Sequence, residues 1–97
     1  MNNAFIQLAK ARNEILDAWE WYEDKRPGLG DRFKDAVARK IKTIVKNPLH
    51  YPIKGKYRET RIDDFPFLIV YQFDEEENVV FIVSVFHMSR HPERKWG

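Results

Sequence analysis

No cysteine occurs anywhere in the sequence, and its absence removes disulfides, thiolate nucleophiles and thiolate metal sites together. Packing alone must hold such a chain. No run approaches the roughly 20 apolar residues that a membrane-spanning helix requires, so no membrane role is expected. Met1 to Lys10 have neither a basic lead nor a long apolar stretch and do not read as a secretory signal; the expected compartment is the cytoplasm. The G-x-x-x-x-G-K, G-x-S-x-G and G-x-G-x-x-G patterns are missing too, which argues against nucleotide binding and hydrolase chemistry. His50 and His91 lie far apart with no carboxylate at ligand spacing, so neither a metal nor a cofactor is expected. Net charge is also small. Seventeen Lys and Arg against fifteen Asp and Glu leave +2, too little to imply nucleic-acid binding by itself.

What is present suits one compact unit. The 97 residues leave no room for a second core, so a single domain over residues 1–97 is expected. With 43% apolar and 14% aromatic residues, that core can be built from large side chains. Leu8, Ala11, Ile15, Ala18, Trp19 and Tyr22 recur at three- and four-residue steps and predict one face of a helix ending near Lys25. Trp19 and Tyr22 fall on that stripe and are expected in the core. Arg26-Pro27-Gly28-Leu29-Gly30 interrupts the period, because proline cannot continue a helix and glycine permits left-handed turn angles. Leu29, Phe33, Val37, Ile41, Ile44 and Val45 then mark a second helical stripe, stopped at Asn47-Pro48. A helical hairpin follows from the short break.

Beyond the proline-punctuated loop from Asn47 to Pro52 the period changes to two. Phe67 to Phe73 and Val79 to His87 are strands separated by the acidic turn Asp74 to Asn78, with a weaker strand from Tyr57 to Ile62. Val79 to His87 is the most apolar and is expected inside the sheet. Phe5 to Leu8 reads as an edge strand. The fold class is therefore α+β, with a two-helix hairpin packed on one face of a C-terminal antiparallel sheet. Apolar residues of both parities in the last two strands imply that both sheet faces are hydrophobic. The second face needs cover from the loop 47–55 and the tail with Trp96, or from a partner segment.

Three stretches together resemble the RelE/ParE toxin superfamily: Ala18-Trp19-Glu20-Trp21-Tyr22, Pro27-Gly28-Leu29-Gly30-Asp31-Arg32-Phe33, and His87-Met88-Ser89-Arg90-His91-Pro92-Glu93-Arg94. Asn47-Pro48 through Tyr51-Pro52 looks like the same family's helix-to-sheet loop. The resemblance implies the toxin of a type II toxin-antitoxin, or plasmid-stabilisation, pair. Such a toxin is neutralised by a cognate antitoxin, and the pair binds promoter DNA only through that antitoxin. RelE-like members cleave messenger RNA in the translating ribosome; ParE-like members inhibit DNA gyrase. The hairpin and tail look more ParE-like, which makes a gyrase-binding toxin the leading expectation. The alternatives are a metal-independent endoribonuclease and a non-toxic interaction module.

The candidate target-binding residues are Lys54, Lys56, Arg58, Arg61, Arg90 and Arg94, each able to supply a charge-assisted donor. Arg61, borne on a strand, is favoured over the loop lysines. If the protein were a ribonuclease, Arg61 and His87 match the family's arginine and histidine, while Met88 stands where several members carry tyrosine, and no carboxylate before Lys54 offers a general base. A lone histidine at the end of a buried strand also fits a structural role. Trp21 lies about 240° from Ile15 by the helical period and, with Trp96, is a candidate partner-binding aromatic.

Overall fold

The computed structural model describes residues 4–89. Strand β1 (Ala4–Gln7) leads into helices α1 (Ala9–Lys25) and α2 (Leu29–Lys46), followed by β2 (Ile53–Lys54), β3 (Tyr57–Arg61), β4 (Phe67–Asp74) and β5 (Val79–His87). The five strands form one sheet in the order β1-β5-β4-β3-β2. The pairs β5/β4, β4/β3 and β3/β2 are antiparallel, whereas β1 runs parallel to β5. The sheet is thus mixed, and β1 holds an edge, as expected. β5 is an interior strand, although β4 takes the middle position. The two-residue β2, inside what reads as loop, has too little sequence to show a period.

The hairpin turn depends on two glycines and one carboxylate. Gly28 adopts φ 90°, a left-handed angle that costs glycine little. Gly30 is buried where α1 and α2 approach, and a β-carbon there would lie 2.5 Å from the Trp19 carbonyl oxygen. Glu23 of α1 accepts the Gly28 and Asp31 amides at 3.1 and 3.2 Å, so a carboxylate from one helix satisfies orphan donors at the start of the next. The Trp19 indole donates to Asp31 at 2.9 Å. Trp19 is therefore half-buried at the seam between the helices, not in the core that the stripe implied, because its nitrogen is drawn to the Asp31 carboxylate. Leu8 likewise falls outside the stripe, since it precedes the first helical turn.

Ala11, Ile15 and Ala18 of α1 and Phe33, Val37, Ile41 and Ile44 of α2 form the helix layer of the core. Facing them are Ile62, Phe65, Phe67, Ile69, Tyr71, Val80, Ile82 and Val85. On β4 these alternate regularly, but on β5 the parity changes after Ile82. The cause is a register shift: Tyr71 pairs with Ile82 and Val70 with Ser84, leaving Val83 as the extra residue of a bulge. Part of the mixed parity in this strand thus comes from the bulge. The far face is still apolar, however, with Leu68 and Val70 on β4 and Phe86 opposite Leu68. Val70 is fully buried and Phe86 nearly so, though neither belongs to the helix-side core.

β1 pairs with β5 only as far as Ile82. Beyond that point Glu14 of α1 takes over the edge, accepting the Val85 amide at 2.9 Å and the Ser84 hydroxyl at 2.8 Å. A side chain thereby satisfies a backbone donor that a longer β1 would have met. No helix among the described residues is long and apolar enough to cross a membrane.

The close approach at Gly30 leads to a stability test. Gly30→Ala gains helix propensity, worth up to about 1 kcal/mol, but is expected to lose about 1–3 kcal/mol net through overpacking against Trp19. A denaturation midpoint equal to or above that of the parent would show that the helices do not need this contact.

Candidate functional site

The basic segment from Lys54 to Arg61 is divided by the strand period. Arg58 lies opposite Tyr71, on the helix side of the sheet, and Arg61 lies opposite Leu68, on the other side. Their fates differ accordingly. Arg58 is half-buried and donates from Nη1 to the Tyr51 carbonyl at 2.6 Å. Its guanidinium is engaged in fixing the loop, so its expected role in target contact gives way to a structural one. Lys54 pairs with Glu59 at 3.2 Å. Lys56 is exposed, with its ammonium 5.6 Å from the Tyr57 ring centroid. Arg61 is exposed and has no hydrogen-bonding or ionic partner among the described residues. It is the member of the segment most available to another molecule.

Tyr71 supplies the second loop anchor. Its hydroxyl donates to the Pro48 carbonyl at 2.7 Å from a fully buried position. Burial pushes the phenol up from 10.0 to about 12; Arg58 opposes the rise and Tyr51 adds to it. The loop from Asn47 to Pro52 is therefore fastened to helix-side residues of the sheet at two carbonyls. Both anchors lie on the helix side of the sheet, away from the second face.

His87 closes β5 opposite Phe67 and presents its ring to that phenylalanine, with centroids 5.2 Å apart. Phe67 belongs to the helix-side core. His87 and Arg61 thus project from opposite faces, and the two candidate ribonuclease residues are not brought together. Glu59 is the residue that sequence reasoning passed over: two positions before Arg61, it shares that arginine's face, held by Lys54. Strand parity was the available signal, but the weak alternation of Tyr57 to Ile62 obscured it.

Trp21 is 47% exposed, with its ring edge-on to Tyr22 at 5.1 Å and the Lys25 ammonium 4.7 Å from its centroid. The helical period placed it correctly, away from the Ile15 stripe. Arg90, Arg94 and Trp96 lie outside the described residues. Among the described residues no group of three or more His, Asp or Glu side chains is placed to hold a metal ion.

The architecture, a two-helix hairpin on one face of a mixed five-stranded sheet, is shared with solved toxin structures. The chain belongs to the family described as the ParE toxin of type II toxin-antitoxin system, parDE, whose match spans residues 6–92. Solved structures agree on the fold. The chromosomal ParDE system from P. aeruginosa has a TM-score of 0.74 at 12% identity, covering 88% of this chain and 95% of that one. The RelBE2 toxin-antitoxin complex from Mycobacterium tuberculosis gives 0.67 at 18% identity, with 90% and 92% covered. The intact E. coli RelBE complex gives 0.66 at 20% identity, with 91% and 99% covered. No curated protein sequence matches the chain. The family, and the two-layer α+β fold expected from the sequence, are thereby established.

The Tyr71 anchor has a pH signature. Between pH 10 and about 12 the unfolded phenol is ionised while the folded one keeps its proton, so the stability it contributes is complete below pH 10 and falls as pH rises through the folded value. Two pH units of such linkage amount to about 3 kcal/mol at most. Tyr71→Phe should lose about 1–2 kcal/mol at neutral pH by orphaning the Pro48 carbonyl, and its stability should decline less steeply above pH 10. Parallel pH profiles for parent and variant would refute the buried hydrogen bond.

Proposed function

We propose that this toxin arrests growth by binding DNA gyrase, without a chemical step of its own, and that a cognate antitoxin neutralises it. The observation carrying this reading is the separation of Arg61 from His87 across the sheet. Metal-independent RNA cleavage needs a base for the 2'-hydroxyl, a cation for the phosphate and an acid for the leaving oxygen around one phosphodiester. An imidazole against Phe67 on the helix side is not positioned to serve a phosphate held by Arg61. A free, strand-borne guanidinium beside apolar residues suits protein recognition, since its planar fork pairs with carboxylates.

The competing reading, ribosome-dependent mRNA cleavage, draws on Glu59, a carboxylate on Arg61's own face. Its Oε1 atom is engaged by Lys54. The antitoxin assignment is supported by the relatives, which were solved as toxin-antitoxin complexes. Leu68, half-buried opposite Arg61 on the second face, offers apolar contact for an antitoxin segment, and promoter DNA would be reached only through that partner.

The purified protein is expected to inhibit gyrase supercoiling and to leave translated messages intact; codon-positioned cleavage in a translation extract would reverse the assignment. Arg61→Ala should abolish growth arrest and change folding stability by no more than about 0.5 kcal/mol, as is usual for exposed sites. A variant as toxic as the parent would return Arg61 to the status of a solvated charge.

A further inference from the structure

Between Ala36 and Arg58 the chain has seven Lys and Arg residues and no Asp or Glu. Three of the seven are committed within the molecule. Lys40 pairs with Asp63 at 3.7 Å, Lys54 pairs with Glu59, and Arg58 holds the Tyr51 carbonyl. The other four, Arg39, Lys42, Lys46 and Lys56, are exposed and form no ion pair among the described residues. Two large aliphatic side chains stand out in the same stretch: Leu49 is 50% exposed and Ile53 is 55% exposed. We propose that this end of the molecule, comprising the C-terminal turns of α2, the loop 47–52 and β2, docks the toxin's protein target through an acidic segment that carries apolar side chains. The proposal rests on the reading that the toxin acts by binding a protein.

The lysines alone do not carry it. Lys42 and Lys46 also complement the negative end of the α2 dipole, and that accounts for their presence without a partner. It does not account for two exposed aliphatics, Leu49 on a fixed loop and Ile53 at the start of β2. Leu49 stands between the two anchored carbonyls, Pro48 held by Tyr71 and Tyr51 held by Arg58. The His50 amide closes the turn onto the Asn47 carbonyl at 3.1 Å. An apolar knob already held in place gives up little conformational entropy on binding, the usual advantage of a preorganised anchor. The surrounding uncompensated positive charge selects an acidic neighbour and accelerates encounter. The Asp74–Glu77 turn closes the same end of the sheet, between β4 and β5, but the Asp74 carboxylate accepts the Glu76 and Glu77 amides. Among the described residues no ion pair joins this turn to the basic stretch. A nucleic acid would use the lysines but leave Leu49 and Ile53 without a role, since single-stranded recognition relies on aromatic and arginine stacking. The aliphatic pair therefore favours a protein.

The test uses two variants of the full chain, Leu49→Ser with Ile53→Ser, and Lys42→Glu with Lys46→Glu. All four positions are exposed, and the second variant keeps the test valid should the first unfold. Each should lose growth arrest on induction and require at least tenfold more protein to inhibit gyrase supercoiling. Their affinity for the antitoxin should stay within threefold of the parent's. Undiminished arrest by both variants would overturn the proposal. So would lost antitoxin binding with arrest intact, which would assign the surface to the antitoxin. If the parent cleaves mRNA in a translating extract and the variants do not, the surface serves RNA, and the proposal also fails. Arrest by the parent alone, with gyrase unaffected, would instead sink the gyrase assignment and leave the docking surface standing on another protein.

Discussion

The Tyr22 ring is the contact on which the architecture depends. It lies 5.4 Å from Phe33 on α2, 5.1 Å from Phe65 in the turn before β4 and 6.2 Å from Phe67 on β4 itself. Phe33 in turn meets Phe65 and Phe67. One aromatic cluster therefore joins both helices to the middle strand, and tilted and edge-on ring pairs add specific orientation to the area they bury. The hairpin turn is compatible with this docking because Gly28 and Gly30 let the second helix begin close against the first. With α1 and α2 on the helix side, no further helix among the described residues lies on the opposite side of the sheet.

That asymmetry sets what each polar side chain can do. Tyr71 and Arg58 face the helices and are used for folding, with their donors directed to the carbonyls of the 47–52 loop. Lys54, Glu59 and Arg61 face the other way, where Lys54 and Arg61 are exposed to water while Glu59 is mostly buried. The Lys54–Glu59 pair is a partly exposed ion pair of small energetic weight, so its value lies in fixing the positions of its members. Arg61, next along the same face, has no hydrogen-bonding or ionic partner among the described residues.

Most of the fold was legible in the sequence, because both helices and the two long strands announce themselves by period and by Pro and Gly at their ends. The residues that escaped are those governed by contacts distant in the chain. The parallel pairing of β1 depends on β5, more than 70 positions away, and the bulge at Val83 has no local signature. Glu14, which carries no signal in the helical stripe, is assigned its role by the edge that β1 leaves open. The candidate site shows the same division. A basic cluster is visible in composition, but the separation of Arg58 from Arg61 requires knowing which strand residues face the helices. Trp21 was placed correctly because one helix fixes its direction by itself.

The division between folding and binding side chains also explains why a chain this short can expose aliphatic residues without forfeiting stability. Leu49 and Ile53 contribute little to the core, so their burial is not needed to hold the loop. That work is done by two hydrogen bonds to backbone carbonyls and by Pro48, which is itself buried. A loop held through its backbone leaves its side chains free to differ, and the surface they present can be changed without disturbing the sheet below. The fold is shared with solved structures at only 12–20% identity, which shows how far the groups that the core does not require can change while the hairpin and sheet persist.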